Sequence, residues 1–127
     1  MRAAVVVLAL VLALSGCNDA PDEHPGGREM HYPTHCGVGQ VSVGGVTYYP
    51  TGIYKDGEPF ATDPGANGGP TPWDDPLDPT VSNGNATFGV IVMGDDGTAE
   101  FFVNGGDYSV RLSDDEAEAL WIIEGCA

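Results

Sequence analysis

Three apolar stretches joined by glycine-bearing turns constrain the fold of this chain more than any other feature. Ala86–Met93 (ATFGVIVM), residues 98–103 (TAEFFV) and residues 107–112 (DYSVRL) are each of strand length. The links Gly94-Asp95-Asp96-Gly97 and Asn104-Gly105-Gly106 are short enough to join antiparallel neighbours. Phe88, Val90 and Val92, then Phe101 and Val103, then Tyr108, Val110 and Leu112 recur at alternate positions, the period of a half-buried sheet. An earlier hairpin is expected where Val41 and Val43 face Val46 and Tyr48 across Gly44-Gly45, a two-residue glycine turn. The expected fold is mainly β, a small antiparallel sandwich or roll built on a three-strand meander.

Between these units, residues 55–80 hold six prolines together with Gly57, Gly65, Gly68 and Gly69, too many breakers for a helix or a central strand. Phe60, Trp73 and Leu77 supply apolar weight, so this segment is expected to be an irregular, largely ordered loop packed back on the domain. Beyond the meander, Ser113-Asp114-Asp115-Glu116 matches a capping box, with Ser113 accepting from the Glu116 N–H at the head of a short helical turn reaching Leu120. Trp121-Ile122-Ile123 is apolar enough to return as a last strand.

The start of the chain bears on location. Met1-Arg2 precedes an unbroken apolar run of about 12 residues from Ala3 to Leu14, the layout of a secretory leader. That run is too short to span a bilayer, which takes about 20 residues. The Leu14-Ser15-Gly16-Cys17 ending resembles the lipobox of bacterial lipoproteins. The resemblance implies cleavage before Cys17, acylation of Cys17 and attachment to the extracytoplasmic face of the cell membrane. Two or three acyl chains hold a protein there stably, whereas one does so marginally. The expected organisation is a signal peptide at 1–16, a lipidated flexible tether at 17–30 and one β-rich domain at 31–127.

Without the leader, Arg28, Lys55 and Arg111 stand against 19 carboxylates, a net charge of −16. Such a surface repels phosphate backbones and excludes nucleic acid as a partner. It also disfavours a second contact with anionic lipid headgroups. With Cys17 committed to lipid, Cys36 and Cys126 remain, and an even count in an oxidising compartment reads as a disulfide.

Candidate chemistry is thin. His31, His35 and Cys36 cluster before the first hairpin, but a zinc site needs three or four ligands and the expected disulfide competes for the thiol. Asp74, Asp75 and Asp78 supply hard oxygens without the spacing of an EF-hand loop. These five ionisable positions, His31, His35, Asp74, Asp75 and Asp78, are weak metal candidates, and no cofactor is expected. No nucleophile elbow or zinc-protease motif occurs, so no catalytic residue is assigned. Tyr48, Tyr49, Tyr54 and Trp73 lie in or around the proline-rich loop and are the candidate ligand contacts, since aromatic rings offer large contact area at small entropy cost.

Residues 32–38 (YPTHCGV) and 72–76 (PWDDP) are similar to a set of small exported actinobacterial proteins and lipoproteins with a Thr-His-Cys-Gly opening, a short hairpin, a proline-rich segment around Trp-Asp and a β-rich end. The chain departs from that pattern in carrying Thr71-Pro72 before Trp73, and its tail from Ser113 has no counterpart. The resemblance implies compartment and fold class and transfers no catalytic residues. The expectation is a lipid-anchored, monomeric envelope protein with a non-enzymatic binding or structural role toward an envelope protein or glycan. The alternative is a small envelope hydrolase using His35 and carboxylates.

Overall fold

The computed structural model describes residues 26–65, 68–74 and 78–124. The fold is mainly β, a near-closed antiparallel sheet with one short 3-10 turn near its end. Its strands are β1 (Arg28–Pro33), β2 (Val41–Val43), β3 (Val46–Lys55), β4 (Glu58–Ala61), β5 (Ala86–Met93), β6 (Thr98–Val103) and β7 (Tyr108–Ser113). Spatial order is β1-β5-β6-β7-β3-β2, and β4 pairs with β3. The expected meander is therefore present as β5-β6-β7, and the expected first hairpin as β2-β3.

Turn chemistry accounts for that hairpin. Val43 pairs with Val46, and Gly44 and Gly45 both have positive φ (60° and 83°). Two successive positive φ values match the right-handed twist of the flanking strands, and glycine adopts them without a Cβ penalty. β3 then continues far enough to pair with β7 as well. Pro50 lies within that pairing and cannot donate to a ladder, and the register shifts by one residue between Pro50 and Gly52.

The core follows the pairing register. Ile91, Phe101, Val110 and Ile53 face one another across β5, β6, β7 and β3, and all four are fully buried. Ala99, Leu112 and Pro50 form a second row. Gly89 lets the Phe101 ring lie against β5: a Cβ there would meet the Phe102 carbonyl oxygen at 2.0 Å and the ring at 2.8 Å. Tyr32, from β1, closes the end of the core with its O–H donating to the Gly39 carbonyl. Burial raises its phenol pKa strongly.

The proline-rich segment is pinned from inside. Trp73 is buried, and its indole N–H donates to Thr87 Oγ1 at 2.8 Å, while Thr87 and Thr34 hydroxyls pair at 2.8 Å. Val38 and Gly69 exchange two backbone hydrogen bonds, of 3.0 and 2.8 Å, and Trp121 packs flat against Gly69. Phe60, in contrast, is 49% exposed at the rim, edge-on to Tyr108. Leu77 lies outside the described residues.

Several expectations need correction. On β5 the buried positions are Thr87, Gly89 and Ile91, so Phe88, Val90 and Val92 lie on the outer face. The strand is apolar on both faces, and its register with Phe101 and Val103 sets the phase. β1 begins at Arg28, three residues inside the stretch expected to be tether. The segment 55–80 contains a strand, β4, paired through an Asp56-Gly57 turn; Pro59 is accommodated because this strand lies at the edge. The 3-10 turn Glu116–Glu118 is capped by Asp115, which accepts from the Ala117 N–H at 3.0 Å. Ser113 Oγ instead accepts from the Asp115 N–H and donates to Glu118 Oε1.

Residues 121–124 form no strand. The Gln40 side-chain amide takes the place of one, donating to the Ile123 carbonyl and accepting from the Ile123 N–H, each at 2.8 Å. Of the expected Cys36–Cys126 disulfide, Cys36 is the half that lies among the described residues, half-buried after β1 and disulfide-bonded. Cys126 lies outside the described residues, as does Cys17.

Two substitutions test this account. Trp73→Ala should cost about 3–5 kcal/mol, the penalty for removing a large buried aromatic, lowering Tm by well over 10 °C or unfolding the domain. A melt within about 1 kcal/mol of the parent would show that the loop is not pinned through Trp73. Gln40→Ala should speed hydrogen exchange at the Ile123 amide while leaving core amides of β6 protected; unchanged exchange at Ile123 would remove the clasp from the account.

Candidate functional site

A cleft of about 410 Å³ lies where β5, β6, β7 and β3 turn their outer faces to solvent. That volume falls within the range of small-ligand sites. Val92, Glu100 and Arg111, paired in register across β5, β6 and β7, form a row along it, and Phe102 joins them from the next row. Val92, Met93 and Phe102 supply its apolar surface, and Glu100, Arg111 and Glu118 its charges.

The charged groups hold one another in place. Arg111 Cζ lies over the Tyr54 ring, 3.8 Å from the centroid, a cation–π contact that holds the guanidinium against the ring. Its Nε faces Glu100 Oε2 at 3.7 Å, which leaves both terminal Nη groups without a protein partner among the described residues. Glu100 Oε2 also accepts from the buried Ser109 hydroxyl at 2.6 Å, the shorter contact and so the stronger constraint on the carboxylate. At the far end Glu118 Oε1 accepts from Ser113 at 2.7 Å, and Oε2 has no partner among the described residues. Beside Glu118, Tyr49 O–H donates to Glu116 Oε1 at 3.3 Å. Desolvation, then the Glu116 charge and this bond, push the Tyr49 phenol pKa up.

The four aromatic candidates separate. Tyr48 and Trp73 are buried in the core, whereas Tyr54 and Tyr49 are half-buried on the outer side, Tyr54 beneath Arg111 and Tyr49 paired in register with Ser113. His31 is exposed on β1 and tilted against Phe88 at 4.6 Å, and His35 is exposed in the turn after β1; neither lines the cleft. Asp74 accepts from the Thr71 hydroxyl and Asp78 from Thr80, each closing a local turn. Asp75 lies outside the described residues. Among the described residues no three His, Cys, Asp or Glu side chains converge in a way that would hold a metal ion. No helix among them is long and apolar enough to cross a membrane.

Sequence reasoning missed Arg111, Glu100 and Glu118. A scarce cation at an outward position of a strand was the available signal, since Arg111 alternates with the buried Val110 and Leu112. Compared with protein-family models, characterised proteins and solved structures, the chain matches none.

The two contacts to Glu100 make separable demands. Glu100→Ala strands the buried Ser109 hydroxyl and should cost about 1–2 kcal/mol, whereas Glu100→Gln keeps an acceptor and should cost under about 1 kcal/mol, in line with a weak exposed ion pair. Urea unfolding of both variants checks this. Equal losses would mean that the Arg111 pairing, rather than Ser109, holds the carboxylate.

Proposed function

We propose that this chain is a lipid-anchored, extracytoplasmic binding protein of the bacterial envelope, and that the outer-face cleft is its binding site. The observation that carries the binding role is the cleft itself: an apolar base bordered by charged side chains that ring stacking and hydrogen bonds already orient. Preorganised polar groups around an apolar surface are what a binding site needs, because little side-chain entropy is lost when a ligand arrives. His35, on which a hydrolytic reading would depend, lies apart from the cleft carboxylates, and this favours binding over turnover.

The anchor and address rest on Leu14-Ser15-Gly16-Cys17 after an apolar leader. An acidic domain on a polar stretch suits that setting, since like charge keeps it off anionic headgroups and leaves its outer face accessible. Cys17→Ser should abolish incorporation of labelled palmitate and release the protein from the membrane fraction or leave its leader uncut. Normal membrane retention with cleavage elsewhere would refute the anchor.

A further inference from the structure

We infer that the cleft takes a small zwitterion of dipeptide size with apolar side chains, its carboxylate on Arg111 and its ammonium on Glu118. The inference rests on the cleft being a binding site and adds the chemical class of its ligand.

Three features converge on this class. Arg111 is held over the Tyr54 ring and spends Nε on Glu100, so the edge formed by its Nη groups is available. A guanidinium edge matches a carboxylate through two parallel hydrogen bonds. Yet a simple anion is a poor occupant. Glu100 already offsets Arg111, Glu118 adds a further negative charge to the lining, and the whole chain is strongly acidic. A ligand bringing its own cation removes that penalty, and Glu118 Oε2 is the acceptor for it.

Spacing sets the size. Arg111 and Ser113 lie on the same face of β7, two residues apart, which is roughly 7 Å along a strand, and Ser113 holds Glu118. The opposed charges of an extended dipeptide are separated by a similar distance, roughly two residues of chain. Val92, Met93 and Phe102 offer apolar surface to the side chains between its ends.

The test uses the full chain in lipid nanodiscs, titrated with Leu-Leu, N-acetyl-Leu-Leu and Leu-Leu amide by calorimetry, with NMR shifts at Val92, Met93 and Phe102 locating the site. Leu-Leu should bind at least about tenfold more tightly than either capped form. Arg111→Gln should erase its advantage over the amide, and Glu118→Gln its advantage over the acetylated form. If the capped forms bind the cleft as well as Leu-Leu does, the zwitterion is refuted and the binding cleft stands. If none of the three probes shifts the cleft residues, both the ligand class and the cleft reading fall.

Discussion

Thr87 carries the interaction on which the rest of the structure depends. It is fully buried on β5, and its hydroxyl meets two side chains from outside the meander, Thr34 after β1 and Trp73 from the proline-rich segment. A hydroxyl in an apolar interior is costly unless it is bonded, and here the bonds come from the two parts of the chain least able to hold themselves. A segment with six prolines forms little backbone ladder of its own. One large ring, hydrogen-bonded through its nitrogen, fixes it against the sheet. Gly69 is thereby placed to bond Val38 and to receive Trp121, and the C-terminal segment reaches Gln40. The first strand, the loop and the tail are thus ordered at one end of the sheet by a few buried polar contacts and two indoles.

How far the fold was legible depended on whether a local rule was decisive. Gly44-Gly45 allows one kind of turn, and the short glycine links of the meander leave antiparallel neighbours as the simplest solution, so these units were readable from residues alone. The phase of β5 was not. Phe88 to Met93 is apolar at nearly every position, and alternation cannot choose a face when both faces qualify. Pairing chose it, by setting Gly89 under Phe101. β1 was hidden for the opposite reason: Arg28-Glu29-Met30-His31 has too little apolar content to announce a strand, and it forms because β5 offers an edge. The Gln40 clasp on Ile123 joins residues 83 apart in the chain, and no periodicity encodes a side-chain amide standing in for a strand.

The cleft was legible by parts. Tyr49 and Tyr54 were identified as aromatic candidates, but the property that separates them from Tyr48 and Trp73 is the face each occupies, which the bulge at Pro50 to Gly52 alters midway along β3. Glu100 and Arg111 become a pair through the register of β6 on β7, and Glu118 joins them because the 3-10 turn folds back beside Ser113. None of these relations has a sequence spacing. A site assembled across four strands from single residues carries no motif, so charge scarcity was the remaining clue.

That scarcity has a structural counterpart. Of the three cations among the described residues, Arg28, Lys55 and Arg111, two rest on aromatic rings, Arg111 on Tyr54 and Lys55 over Tyr108 at 5.5 Å. In a chain this acidic, every cation has many carboxylates within reach, and pairing with them in water would give little and would leave side-chain position undetermined. A ring instead offers a flat, fixed surface that competes well in a half-buried setting and does not depend on carboxylate ionisation. Stacking therefore does what a salt bridge would do poorly here. It holds Arg111 at one orientation within a field of negative charge, and it leaves the polar edge of the guanidinium turned outward while its face is covered.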